Sequence, residues 1–211
     1  MSRVLISIKF NYNIYSYIRI GSPFVDLFMK SFLYAIWEIV EVALIALVAV
    51  LVIRYLFVQP FLVSGASMEP TFSSGDYLLI DEISYRFREP SRGEVIVFKY
   101  PGDERLYYIK RIIGLPGEKI EIKNGKISVF NNEHPGGFIL SEEYLPFGLN
   151  TTGKEGNIVV GPNEYFVLGD NRNFSFDSRS WGALKKNELV GLVRLRLWPP
   201  NEVMAFEKPA Y

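Results

Sequence analysis

The chain has no cysteine and one histidine, His134, among its 211 residues. Without cysteine there is no disulfide, no thiolate nucleophile and no cysteine-ligated zinc. With one imidazole, a Ser-His-Asp triad or a histidine-rich metal centre has almost nothing to be built from. His134 lies in "NNEHPGG", a turn context that suits exposed loop polarity. Neither a metal nor any other cofactor is expected. An excess of either charge is also missing, since Lys plus Arg and Asp plus Glu each number 23. No basic field gathers a phosphate backbone, so nucleic acid is not an expected partner. Internal repeats and low-complexity tracts are absent, and helical periods are nearly so beyond Pro60.

Hydrophobic residues, in contrast, are concentrated near the N-terminus. From Ser31 the chain reads "SFLYAIWEIVEVALIALVAVLVIRYLFVQPF", with no charged or polar side chain from Val42 to Ile53. Val42 to Val58 would form about 26 Å of helix, slightly less than a hydrocarbon core of about 30 Å. Extension back to Ile36 closes the gap and gives an expected transmembrane helix over 36–58. Glu38 and Glu41 then share a face near one end, and Arg54 can snorkel to headgroups near the other. A cleaved secretory signal fits poorly, because no charged region adjoins a short apolar core. Arg3, Lys9, Arg19 and Lys30 precede the helix, which predicts a cytoplasmic segment 1–35 and an extracytoplasmic domain 59–211. Met29, just before Lys30, is an alternative start, from which the orientation would rest mainly on Lys30.

After Pro60 the pattern is that of short strands: "YLLIDEISYRF", "EVIVFKY", "RLYYIKRIIGL", "KIEI", "KISVF", "EYFVLGD" and "LVGLVRLRLW". Asn124-Gly125 between two alternating runs predicts a tight primed-turn hairpin. "SSGD", "SRGE" and "LPGE" mark further turns. The expected fold is mainly β, an antiparallel sandwich or barrel-like domain behind one N-terminal transmembrane helix. Residues 131–163, richer in Asn, Gly, Thr and Glu, read as a surface excursion or small cap.

Chemistry here must be built from Ser, Thr, Lys, Tyr or carboxylates. In "SGASMEPT", Gly65 and Ala66 allow a carbonyl to approach Ser67, while Pro70 restrains the chain beyond it. A serine hydroxyl needs a base within hydrogen-bond reach and donors for the oxyanion it generates. A base is available in "LYYIKRIIGLPGE". Strand alternation puts Lys110 on one face with Leu106, Tyr108 and Ile112, and Arg111 on the other with Tyr107, Ile109 and Ile113. Both faces are apolar, so both cations need a reason to be there. Arg111 cannot lose its proton and requires a carboxylate, with Asp170 and Asp177 as candidates. Lys110 can instead be held neutral by desolvation; bringing its pKa from about 10.4 to near neutrality costs about 4 kcal/mol. The third unusual stretch, "LGDNRNFSFDSRSWG", is too polar for a strand and lacks the ligand spacing of a calcium loop. Its alternating acids and arginines suggest a loop pinned by ion pairs.

Together, in this order behind a helix ending in "VQPF", the three stretches resemble the boxes of bacterial type I signal peptidases, over roughly Ile36 to Trp198. The resemblance implies a membrane-anchored serine protease of the cell membrane that removes signal peptides from exported preproteins. It implies Ser67 as nucleophile, Lys110 as general base and Ser175 as a hydrogen-bond partner orienting Lys110. It also implies an oxyanion hole made by the Ser67 N–H and a second donor. Where some relatives carry a serine two places before the nucleophile this chain has Gly65, so a backbone group there and the Ser64 hydroxyl are both candidates. Asp170, Asp177, Arg172 and Arg179 are expected to brace the loop, with Arg111 on Asp170. Small side chains are expected at the first and third substrate residues before the cut, the substrate pairing as an added strand. Phe61, Leu62, Val63 and Phe72 are expected to contribute an apolar, membrane-facing rim. A processing peptidase with a narrow substrate set and a non-catalytic binder of signal peptides share the architecture. Nothing in the sequence specifies an oligomeric state.

Overall fold

A computed structural model of the chain describes residues 23–153 and 156–209. The first element is a single helix, α1, Pro23–Phe57. Proline suits a first helical turn, where its missing N–H would have had no partner. Within α1, Phe28–Leu51 is a 24-residue apolar span with a mean hydropathy of 2.2. That is about 36 Å of helix, long and apolar enough to cross a core of about 30 Å. Apolar side chains on every face are exposed along this span, as suits a helix with hydrocarbon on all sides. Arg3, Lys9 and Arg19 lie outside the described residues, as do the rest of the segment before Pro23 and the side chain of Arg54.

The strands that follow are β1 Val58–Leu62, β2 Tyr77–Asp81, β3 Val95–Tyr100, β4 Asp103–Gly114, β5 Lys119–Lys123 and β6 Lys126–Phe130. After them come β7 Phe138–Ile139, β8 Gly156–Val159, β9 Glu164–Leu168, β10 Leu184–Lys185, β11 Leu189–Trp198 and β12 Met204–Ala205. Two one-turn helices, α2 (Ser84–Phe87) and α3 (Ser178–Trp181), interrupt them. All pairings are antiparallel and form two sheets. The larger runs β1-β2-β11-β3-β4-β9-β10, with β12 on β11, and the smaller runs β7-β6-β5-β8. The architecture is mainly β and sandwich-like rather than a closed barrel.

Burial follows from the strand patterns. β3 reads VIVF because it is covered on both faces. Val95 and Val97 join Leu78, Ile80 and Val193 on one side, while Ile96 and Phe98 join Ile112, Tyr165 and Val167 on the other. A third cluster, including Ile113, Ile120, Val129 and Phe166, packs residues of the larger sheet against the smaller. At Gly114 an added Cβ would lie 2.9 Å from both Ile120 Cγ1 and Phe166 Cβ, so this crossing admits only glycine without rearrangement. The hairpin between β5 and β6 turns at Asn124 and Gly125, with φ of 51° and 74°, the left-handed pair a primed turn demands.

The structure differs from the strand pattern in two places. "YLLIDEISYRF" is a strand only to Asp81, whose carboxylate accepts the N–H groups of Ile83 and Ser84 and the Ser84 hydroxyl. That local capture turns the chain out of the ladder and into α2. Residues 131–163 are also more than an excursion, because β7 and β8 complete the smaller sheet on β6 and β5.

Strand pairing also creates an opening. β4 is paired with β3 for most of its length, but with β9 only from Arg111 onward. Among the described residues β1 is paired with β2 alone. The unpaired half of β4 and the free side of β1 approach at Phe61 and Tyr107, whose rings are 5.6 Å apart. Phe166→Ala should destabilise the β unit by about 3–5 kcal/mol through cavity formation between the sheets, measured by urea unfolding of the full chain in detergent. An unchanged midpoint would show that this cluster does not join them.

Candidate active site

The loop from β1 to β2 carries Ser67. Its ends are closed by Val63 N–H donating to Asp76 O and Gly75 N–H to Val63 O. Gly65 adopts φ of +99°, a conformation that disfavours any residue with a Cβ. Met68 and Phe72 are fully buried in the core below. These anchors pin the loop just past Ser67, while Ser64 to Ala66 stay exposed.

Lys110 is reached along β4. Its side chain is only 3% exposed, and Nζ donates to Ser67 Oγ at 2.7 Å and to the Ile109 carbonyl at 2.9 Å. The Tyr108 ring lies 5.5 Å from the nitrogen. Burial pushes the Lys110 amine from its ordinary 10.5 down to about 8, against the pull of the Asp177 and Asp170 carboxylates, which favour the ammonium. An amine so placed can remove the Ser67 proton once its own charge is lost.

Arg111, on the opposite face of β4, holds the site together. Its guanidinium grips Asp170 with two bonds of 2.8 and 2.6 Å, donates to Gly93 O, and lies 4.0 Å from the centre of the Tyr144 ring. Both charges are buried, an arrangement tolerable only because each is fully engaged. Of the two candidate carboxylates, Asp170 is therefore the partner. Asp177 instead receives two bonds from Arg179 and one from the Gly169 N–H, and caps α3 through the Arg179 N–H. Arg172, fully buried, binds the Glu142 carboxylate, Thr151, Tyr144 and the Gly169 carbonyl, fastening the 141–152 segment to the loop.

Three contacts were not assigned from the sequence. Thr71 Oγ1 donates to Asp170 at 2.6 Å, and Asn171 gives its N–H to Ser67 O and its side-chain amide to Ala66 O. The loop after β9 is thus sewn to the Ser67 loop. Gly169 permits the approach: a Cβ there would be 2.2 Å from Ser175 Oγ and 2.4 Å from Ser67 O. Thr71 and Asn171 lie inside the quoted stretches, so their residue types were visible, but their partners are 99 and 104 or more positions away.

Two expectations require correction. Ser175 Oγ is buried beside Gly169 but makes no hydrogen bond among the described residues, so the bond to Lys110 is not formed in this structure. Nζ donates instead to Ser67 Oγ and the Ile109 carbonyl. Phe72 does not line any rim, because it is fully buried against Phe206 at 4.4 Å. Phe61, Leu62 and Val63 do line the groove of about 340 Å³ that contains Ser67 and Lys110. A roomier cleft of about 550 Å³, lined by Arg88, Arg194 and Lys208 among others, holds neither residue.

The oxyanion candidates separate on geometry. Among the described residues no backbone acceptor takes the Ser67 N–H. The Gly65 N–H is directed to Ser74 Oγ at 3.4 Å, whereas Ser64 lines the groove and its hydroxyl has no hydrogen-bond partner among the described residues. Among the described residues no cluster of His, Asp and Glu could hold a metal ion.

Asp170→Ala should lower stability by about 3–5 kcal/mol, because it leaves the Arg111 charge buried without its carboxylate. Guanidinium unfolding of the full chain in detergent reads this directly, and a loss below about 1 kcal/mol would mean that the pair does not hold the loops.

Comparison with known proteins gives a consistent result. A family model described as signal peptidase, peptidase S26, matches residues 36–198. A Synechocystis sp. protein named "Probable signal peptidase I-2" is 36% identical over 79% of this chain and 75% of its own. Signal peptidase I of Bacillus amyloliquefaciens is 34% identical over 79% of this chain and 88% of its own, and signal peptidase I P of Bacillus subtilis subsp. natto is 35% identical over 78% and 90%. A solved signal peptidase I from Enterococcus faecalis V583 aligns with 50% of this chain and 97% of its own, at 30% identity and a TM-score of 0.41.

Proposed function

The chain belongs to the peptidase S26 family of signal peptidases, serine endopeptidases, and on that premise we propose that Ser67 and Lys110 are its catalytic dyad, cutting signal peptides from exported preproteins. The observation that carries this reading is the 2.7 Å contact between Lys110 Nζ and Ser67 Oγ, with the amine buried. A lysine dyad does without the histidine this chain lacks at any such position.

The steps follow from the groups in place. Neutral Lys110 takes the hydroxyl proton of Ser67, and Oγ attacks the carbonyl carbon of the last signal-peptide residue. The C=O electrons move onto oxygen, where the Ser67 N–H and the Ser64 hydroxyl stabilise the charge. Collapse breaks the C–N bond, and the leaving amine takes the proton from the Lys110 ammonium. Lys110 then deprotonates a water molecule, which attacks the acyl ester, and Ser67 recovers its proton as the ester breaks.

The substrate enters as a strand between β1 and the free half of β4. Its first and third residues before the cut then point toward Leu62, Val63, Leu78, Val97 and Ile109, a shallow apolar wall that favours small side chains. The helix α1 anchors the enzyme in the cell membrane, with residues 1–35 cytoplasmic and the β unit extracytoplasmic, so that the cut occurs on the far side.

Ser67→Ala and Lys110→Met should each abolish cleavage of a preprotein by the detergent-solubilised enzyme; activity surviving either change would remove the dyad. The single-turnover acylation rate should rise with pH through about 8 and level off above it. A rate still rising tenfold per pH unit at pH 9.5 would contradict the buried amine.

The same shift affects folding. The folded pKa of Lys110 lies below its unfolded value, so between about 8 and 10.5 the unfolded chain binds a proton that the folded chain does not. Stability therefore gains with pH in that window, and below it the full burden of about 3 kcal/mol remains. Lys110→Met should resist denaturant better than wild type at pH 7, with the difference narrowing as pH rises from 8 towards 10.5. Ser64→Ala should reduce kcat by about a hundredfold with little change in KM; an unchanged kcat would return the second oxyanion donor to the backbone at Gly65.

A further inference from the structure

Two phenylalanines flank Ser175, and neither has a role in the chemistry above. Phe174 is 79% exposed and Phe176 51%, yet both line the groove that contains Ser67 and Lys110. Large aromatic side chains left open beside a reaction centre have apolar area available for a ligand.

Their setting is built rather than accidental. Phe176 meets the Tyr100 ring edge-on at 5.8 Å, and Tyr100 stacks on Tyr108 at 4.8 Å with the rings 21° apart. Trp181 backs Tyr100 edge-on at 6.2 Å and packs on Phe98 at 5.9 Å. The row is thus supported from the core outward and ends at Phe176 in the groove, where Phe174 is a second lining ring.

Strand alternation decides what this row can read. On β4, Tyr108 and Lys110 share one face and Tyr107 and Ile109 the other. The apolar wall for the first and third residues before the cut lies on the Ile109 side, with Val97 and Leu78. A substrate in extended conformation sends its intervening side chain the opposite way, towards Tyr108 and the phenylalanines.

We propose that Phe174 and Phe176, with Tyr108, form an aromatic shelf that selects an apolar side chain at the second substrate residue before the cut. This rests on the Ser67–Lys110 reading, because the register of the substrate is set by the carbonyl that Ser67 attacks. The shelf is open on its outer side, so it rewards apolar area without setting a strict size limit, unlike the wall opposite.

The test uses the full chain in detergent and synthetic preprotein peptides cut after Ala-X-Ala, with X as Leu, Phe, Ser or Asp. Wild type should give kcat/KM about tenfold higher for Leu or Phe than for Ser, the discrimination a single apolar contact supplies. The double variant Phe174→Ala/Phe176→Ala should bring that ratio close to one, through a larger loss of rate on the Leu and Phe peptides than on the Ser peptide. Phe147→Ala, another exposed phenylalanine that does not line the groove, should leave the ratio unchanged. A flat wild-type profile, or a double variant that loses rate equally on every peptide, would overturn the shelf while Ser67-dependent cleavage persists. A loss seen only in lipid vesicles and equal for all X would also overturn it, by making the rings a lipid contact. Cleavage that survives Ser67→Ala would overturn both the shelf and the dyad beneath it.

Discussion

The buried pair of Arg111 and Asp170 is the interaction on which the remainder of the site depends. Arg111 is the immediate neighbour of Lys110 on β4, so whatever places one places the other. Asp170 heads the loop after β9 and also receives the Thr71 hydroxyl from the loop carrying Ser67. One carboxylate therefore joins three segments distant in sequence. Desolvation of the buried Lys110 amine outweighs the pull of Asp177 and Asp170, which both favour the ammonium.

Topology supplies the groove in the same economical way. β4 gains its second neighbour only from Arg111 onward, so the strand that delivers Lys110 leaves an unpaired edge just before it. β1 has an open side as well, and its continuation is the Ser67 loop. An incomplete sheet and the loop that carries Ser67 are thus produced by the same stretch of chain. Free edges invite pairing with any extended peptide; here the opening leads to a serine and a desolvated amine.

Much of this was legible in the sequence because it is local. The apolar run of α1 needs no partner to be recognised as a helix, and Asn124-Gly125 dictates its turn by backbone sterics alone. Adjacent Lys110 and Arg111 in a strand apolar on both faces already required one buried amine and one buried ion pair. Alternation overstated that burial, since Leu106 and Tyr107 in the first half of β4 are exposed where β9 does not reach. Asp81 ended a strand by capturing two N–H groups, a local event hidden by the β-forming residues that follow. β8 was missed for the opposite reason: its partner β5 lies more than thirty positions earlier, and its few residues carry little pattern of their own.

The sequence by itself determined which residues had the chemistry: with no cysteine and no usable histidine, a serine and a lysine were what remained, and periodicity placed the lysine where water is excluded. Only the tertiary structure decided the pairings, because hydrogen bonds and ion pairs depend on distances of a few ångströms between groups separated by tens of residues along the chain. It withdrew Phe72 into the core and directed the Gly65 N–H to Ser74. It also left the Ser175 hydroxyl buried beside Gly169 with no partner among the described residues. Residue type sets what a group can donate or accept, and packing sets which group is there to receive it.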